Sequence, residues 1–346
     1  QEAAKSLKEG KDPMQILDSF FSTHAGLTTE KERIDFMFRV IQYVERQVVL
    51  FDSVEDAAFP EIQRDGNDLS LKDFIHLVKN RKNGNAFLDK LNDFSARIVF
   101  TAHPTQFYPP AVLDIIGKLR TYITNNAIND IDLTLQQLGM TSFINSKKPT
   151  PLDEARNIIY YLQNVYYEAV GELYGHIRKL VPGASFDNPD LVKLGFWPGG
   201  DRDGNPNVTA PITMQVADEL RITLMKAYYG DITKLEQKLT FKGIQDIIGR
   251  LRDSIYPGMF EPDKTMHYDD LIHALYSIRE SLITHYNSLY LEDLDAFIDK
   301  VRIFRTHFAA LDIRQNHEVH QQAVTAVLKN ARLIKENLNE LKPEAL

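Results

Sequence analysis

The chain has 346 residues, no cysteine, and 40 basic against 48 acidic side chains, for a formal net charge of −8. That composition excludes disulfides and thiolate metal sites, and it offers no basic excess with which to release the counterions of a nucleic acid. Hydrophobic residues at 43% and charged residues at 25% are those of a globular protein of roughly one to three domains.

No apolar run is long enough for a membrane span, and residues 1–13 are polar and charged, so neither a membrane partner nor a signal peptide is expected and the cytoplasm fits. In chain order, Thr29-Glu30-Lys31-Glu32 has capping-box spacing. Ile34, Met37, Phe38, Ile41, Val44 and Val48 follow at steps of three and four, the apolar face of a helix. A loop is expected at 60–68, around Gly66-Asn67. Arg97 to Thr101 is a short run of β-formers. Thr150 and Pro151 are a cap and a first-turn proline. Ile158, Ile159, Leu162, Val165, Tyr166, Ala169, Leu173, Ile177 and Leu180 carry the helix that follows. Arg178 and Lys179 suit its last turn, and Pro182-Gly183 ends it. About 30 residues of helix would be roughly 45 Å long.

Val192 to Phe196 is a second β run and Phe308 to Arg314 a third. Helical patterns cover 211–240, 242–255, 267–290 and 293–306, with a loop at 256–266 around Pro257-Gly258 and Pro262. The tail from 317 to 341 is one more helix, broken. Each β run is followed by polar residues and then a helix, the grammar of a β/α barrel. Three strands do not close a barrel. The expected fold class is therefore mainly α, with the first strands of a β/α (TIM-like) barrel that is incomplete in this chain. The expected domains are an N-terminal helical region, 1–95, and helices plus the first part of the barrel, 96–346.

Chemistry concentrates after the β runs. Gly195 to Thr209 holds the only tryptophan, Trp197, with three glycines within six positions. Such a stretch builds poor regular structure and suits a backbone held close to a ligand. Asp201 and Asp203 could offer oxygens to a hard cation. A tight loop in which the aspartates and Asn205 bond their own backbone is the favoured reading. His103 precedes Pro104, so the chain stays extended up to it, and in a β/α barrel the imidazole would reach the carboxyl rim. A structural hydrogen bond at the strand end is the alternative. Arg314, in Leu311-Asp312-Ile313-Arg314-Gln315, can offer a planar fork to a phosphate. An ion pair with Asp312 is compatible, since strand alternation puts both on one side. His317-Glu318-Val319-His320 lacks the i, i+4 histidine spacing of a zinc helix and reads as a helix start. Tyr160, Tyr161, Tyr166, Tyr167 and Tyr174 read as helix-packing residues.

Val99 to Gln106, Gly195 to Thr209 and Leu311 to Gln315, in that order, resemble phosphoenolpyruvate carboxylase. The likeness is sharp at 99–105, 195–209 and 311–315 and diffuse from about 30 to 335. It implies a cytoplasmic, mostly helical lyase with one β/α barrel, longer than this chain and homotetrameric. Such an enzyme fixes carbon dioxide and replenishes the tricarboxylic acid cycle. Its partners are phosphoenolpyruvate and bicarbonate, and its products are oxaloacetate and phosphate, formed through carboxyphosphate and the pyruvate enolate. By the same resemblance His103 is catalytic, Arg314 contacts substrate and Trp197 lines an apolar pocket for carbon dioxide. Arg202 is a further substrate-binding residue, which shapes the rim with Asp201 and Asp203, and Gly199, Gly200, Asp201, Asp203 and Asn205 shape the loop.

The sequence departs from the family at Gln106, where glutamate is frequent, and at Phe107-Tyr108-Pro109-Pro110-Ala111, where a basic run is frequent. Roles resting on those basic residues are not carried over. No arginine- and glycine-rich loop, metal-binding acidic pair or catalytic lysine of the family is found. Ligands for the Mg2+ or Mn2+ cofactor are expected outside this chain, with no metal residue in it. The chain is accordingly expected to be an inactive N-terminal portion. The alternatives are a non-catalytic helical scaffold retaining the motifs, and an enzyme that phosphorylates His103.

Overall fold

The computed structural model describes residues 2–62, 84–101, 108–143, 149–180, 186–203, 205–335 and 337. In chain order its helices are α1 (Glu2–Lys8), α2 (Pro13–Phe20), α3 (Glu30–Ile62), α4 (Gly84–Asp93), α5 (Pro110–Thr124) and α6 (Ile128–Met140). They continue with α7 (Pro151–Tyr161), α8 (Tyr167–Leu180), α9 (Ala210–Lys238), α10 (Ile244–Ile255), α11 (Tyr268–His285), α12 (Leu291–Phe304) and α13 (His317–Asn330). The strands are β1 (Ala96–Phe100), β2 (Val192–Phe196) and β3 (Ala310–Leu311). The chain divides into two compact units, one from 1–68 and 107–146, the other from 69–106 and 147–346.

In the first unit α3 begins as its sequence dictates. The Thr29 N–H donates to Glu32 Oε2 (3.1 Å) and the Glu32 N–H to Thr29 Oγ1 (3.3 Å), the reciprocal bonds of a capping box. The Thr29 N–H and hydroxyl, both donating to Glu32 Oε2, hold that carboxyl below the usual range. The helix runs well past its apolar pattern, with Pro60 inside its last turn, so 60–62 are helical rather than loop. Residues 63–68 lie outside the described residues. Val49 joins Val112, Ile115, Leu119 and Leu138 in a small buried core. Arg46 donates to the carbonyls of Leu138 and Gly139, two of the acceptors a helix end leaves free. Phe38, Ile41, Val44 and Val48 of the expected apolar face are exposed. Tyr108 packs against the Phe143 ring in this unit at 5.8 Å, and burial pushes its hydroxyl pKa up.

In the second unit the helix starting at Thr150 is continuous to Leu180, through a π turn at Leu162–Tyr166. Thr150 and Asp153 close a capping box around Pro151. Thr150→Ala is expected to lower stability by about 1 kcal/mol, read from the midpoint of urea unfolding. The tyrosines of this helix largely pack. Tyr167 and Tyr174 are buried, Tyr166 meets Phe100 edge-on at 4.9 Å, and Tyr160 stays 44% exposed against Tyr161. Pro182-Gly183 lies outside the described residues.

The centre is α9, where Val216, Leu220, Leu224, Tyr228, Ile232 and Leu235 recur at steps of three and four and are buried. Helices α7, α10 and α12 pack around it. The expected loop at 256–266 instead holds two short 3-10 turns, Tyr256–Met259 and Pro262–Lys264, each with proline in its first turn. Asn316 caps α13 through Glu318 N–H (2.9 Å), so His317 and His320 do open a helix. It ends at Asn330, short of the expected 341; residues 336 and 338–346 lie outside the described residues.

The three strands form one sheet, order β1-β2-β3, all parallel, with Phe100 level with Phe196 and Gly195 level with Ala310. The third run is narrower than expected: only Ala310 and Leu311 are strand, with an isolated bridge at Arg314. Phe100, Leu194, Phe196 and Leu311 pack into the helical core. By alternation the opposite face carries Arg97, Gly195, Ala310 and Asp312.

Helix α12 also buries a carboxylate. Asp299 is 1% exposed, and one oxygen takes Arg178 Nη1 at 2.9 Å while the other has no partner. Burial pushes its pKa up to about 6, against the pull of Arg178 and Arg302. A raised folded-state value means the unfolded chain ionises first. This group's contribution is therefore most favourable below about pH 4 and is lost as pH rises towards 6. Asp299→Asn is expected to remove that component, seen as a flatter stability profile than wild type between those pH values.

Candidate active site

The site is built where β2 leaves the core. Phe196 is fully buried, and the Trp197 N–H donates to the Phe100 carbonyl (2.9 Å), so the indole is seated beside the end of β1. The chain then turns sharply, with the N–H groups of Gly200 and Asp201 both donating to the Trp197 carbonyl at 2.8 Å. Glycine is required twice for different reasons. Gly199 has φ +75° and lies where a Cβ would come within 2.5 Å of Val216 on α9. A Cβ on Gly200 would stand 2.2 Å from the Asp312 carbonyl oxygen. The close approach lets the loop rejoin the third run: Arg314 N–H donates to Gly200 O (3.0 Å) and Arg202 N–H to Arg314 O (2.9 Å).

These bonds bring Arg314, Trp197 and Asp201 together. Arg314 Nη1 donates to Asp201 Oδ2 at 2.9 Å, and its guanidinium carbon stands 4.0 Å from the Trp197 ring centroid, a cation–π stack. The ion pair with Asp312 that the sequence allowed does not form; Arg314 pairs with Asp201 instead. Asp312 is taken by others: Arg97 Nη2 donates to its Oδ1 and Trp197 Nε1 to its Oδ2 (3.2 Å). The Asp201 side chain is only 12% exposed, so its negative charge rests largely on Arg314.

The remaining residues divide. Asp201 Oδ1 accepts the Asp203 N–H (3.4 Å) and Asn205 Oδ1 the Asn207 N–H (3.1 Å), the self-bonding loop expected from the sequence. Arg202 Nη2 donates to Thr213 Oγ1 on α9 (3.1 Å), whose hydroxyl donates to Gly199 O (2.7 Å). These bonds secure the loop to α9. His103, Gln106 and Phe107 lie outside the described residues, as does Gly204. The sequence reading passed over Arg97; its opposite charge to Asp312 on parallel runs was the available signal.

Among the described residues, no group of three or more His, Cys, Asp or Glu side chains gathers as a metal site. Asp201 and Asp312 each lie against a guanidinium, so they do not fit a divalent cation. Among the described residues, no helix is long and apolar enough to cross a membrane.

An arginine, an indole and two carboxylates thus gather at the carboxyl ends of parallel strands. The family model for phosphoenolpyruvate carboxylase matches residues 37–257 and 250–345, and the chain belongs to that family. A phosphoenolpyruvate carboxylase from Xanthomonas campestris pv. campestris (strain 8004) is 25% identical over 388 residues, covering 94% of this chain and 40% of the relative. One from Acinetobacter baumannii is 26% identical over 302 residues, 73% of this chain and 34% of the relative. One from Roseiflexus castenholzii is 24% identical over 299 residues, 67% and 32%. The chain spans about a third to two fifths of the length of these relatives.

Proposed function

We propose that this chain supplies part of the active site of a phosphoenolpyruvate carboxylase, with Arg314 as a substrate-binding group. The observation that carries this reading is the Arg314 guanidinium, aligned by Asp201 and stacked on Trp197 at the carboxyl end of parallel strands. One N–H edge is committed to Asp201 and the side chain is 42% exposed, so donors remain for a phosphate or carboxylate oxygen.

In the reaction, a bicarbonate oxygen attacks the phosphorus of phosphoenolpyruvate. The bond from phosphorus to the enol oxygen breaks, leaving carboxyphosphate and the pyruvate enolate. Carboxyphosphate splits to phosphate and carbon dioxide, and the enolate carbon attacks the latter to give oxaloacetate. Arg314 holds substrate oxygens as charge moves across them. Trp197 presents an indole face that keeps water from the enolate, which would otherwise be protonated to pyruvate. His103, the residue the family motif points to, takes the proton of carboxyphosphate. Gly199, Gly200, Asp201, Asp203 and Asn205 shape the loop, and Arg202 anchors it to α9.

The divalent ion would polarise substrate oxygens, with ligands from residues other than those described, and the chain by itself is inactive. The three strands are the start of a barrel, supported by a sheet whose Arg97–Asp312 face is not packed in the helical core. A cytoplasmic homotetramer completes the reading.

The test is oxaloacetate formation from phosphoenolpyruvate, bicarbonate and magnesium, with Trp197 emission followed as phosphoenolpyruvate is added. Binding without turnover is expected, and Arg314→Lys should weaken it about tenfold or more, because lysine lacks the planar fork. No emission change with substrate, and no turnover, would defeat this reading and favour the scaffold. Turnover by this chain alone would defeat its inactivity.

A further inference from the structure

We propose that Arg97 and Asp312 are positioning residues for Trp197, a lock across the three strands that leaves Arg314 free for Asp201 and the indole. Only the substrate the indole faces rests on the carboxylase reading; the lock does not. The strand register places Arg97, Gly195 and Asp312 on one face, one from each run. The Arg97 guanidinium reaches Asp312 by crossing β2 at Gly195, where a Cβ would lie 2.9 Å from Arg97 Nε and 3.2 Å from Asp312 Oδ2. Any side chain there would occupy the space in which the pair closes. The Asp312 N–H is bonded to the Phe196 carbonyl (2.9 Å), which fixes the backbone carrying the acid. Its two oxygens are divided, Oδ1 to Arg97 and Oδ2 to the Trp197 indole N–H.

The consequence concerns Arg314. It lies two residues beyond Asp312 and both meet Trp197, Asp312 through the indole N–H and Arg314 over the ring, so an unneutralised Asp312 would compete with Asp201 for its guanidinium. A shift toward Asp312 would break the 4.0 Å stack on Trp197. By occupying Asp312, Arg97 keeps the indole hydrogen-bonded and Arg314 stacked. Arg97 acts through Asp312 in this scheme.

Trp197 is the sole tryptophan, so its emission reports on the lock without any assay of activity. Emission and acrylamide quenching are compared in the whole chain for wild type, Arg97→Gln, Arg97→Lys and Gly195→Ala, with far-UV circular dichroism to verify the fold. Arg97→Gln and Gly195→Ala are expected to shift the emission and raise the quenching constant. Arg97→Lys should recover part of the wild-type signal, since it restores the charge but not the planar fork. A partly exposed pair contributes little to global stability, so a merely structural role would leave the spectrum unchanged. Wild-type emission and quenching in folded Arg97→Gln would overturn the proposal. Should Gly195→Ala fail to fold, Arg97→Gln decides alone. A wild-type chain whose emission ignores phosphoenolpyruvate would count against the carboxylase reading and leave the lock to be judged on the variants.

Discussion

Gly200→Ala lowers the stability of this protein by about 3 kcal/mol or more, and it does so by separating two backbones. The added methyl would stand 2.2 Å from the Asp312 carbonyl oxygen and 3.2 Å from Leu311 Cδ1. The first obstacle is main chain and cannot rotate away, unlike the flexible Arg97 end that a Cβ at Gly195 would meet. Relief requires the Trp197 loop to lift from the third run. That lift would cost the Arg314 N–H bond to Gly200 O and strain the Arg202 N–H bond to Arg314 O. It would also draw Asp201 from Arg314, so the site should fail together with the stability. The measurements are the urea midpoint and Trp197 emission at low denaturant. A midpoint and spectrum matching wild type would show that the loop is not held as closely as described.

Lys300→Met is expected to cost on the order of 3–5 kcal/mol, despite the similar length and apolar stem of methionine. Lys300 is 8% exposed, and its ammonium bonds Glu168 Oε2 at 2.7 Å and Asp231 Oδ2 at 2.9 Å. It also stands 4.3 Å from the Tyr167 ring centroid. Tyr167 donates its hydroxyl to the same Asp231 oxygen at 2.9 Å, and burial holds that hydroxyl protonated far above the ordinary range. Without the ammonium, Asp231 keeps Tyr167 and the exposed Lys234 at 3.3 Å, but its main cation is gone. An under-compensated carboxylate in the helical core is the costly species, more than the lost attraction itself. The double variant Lys300→Met, Asp231→Leu should therefore be more stable than Lys300→Met alone. Equal stability of the two would remove the electrostatic account and leave packing alone.

What was legible in the sequence follows the range over which each signal acts. Thr29, Glu32, Thr150 and Asp153 declare helix starts because a cap is completed within three residues. The 3.6-residue repeat from Val216 to Leu235 declares a buried face. The parallel strands at Arg97 and Val192 were readable from their β-formers and the helices after them. Phe308 to Arg314 was overextended, because β-propensity cannot say where a partner strand stops. The apolar positions of α3 gave the helix, yet Phe38 and Ile41 remain exposed, since periodicity names a face without naming what covers it.

By itself the sequence determined the family, the helical character and the glycine-dependent loop at Trp197. Tertiary structure alone decided which charges meet. Arg314 took Asp201, 113 residues away, while Asp312 was claimed by Arg97, 215 residues away, and by the Trp197 indole. Arg202 found Thr213 on α9. Spacing in the chain orders residues along one element. The pairing of charges depends on which backbones approach, and Gly195 and Gly200 let three strands come close enough to choose.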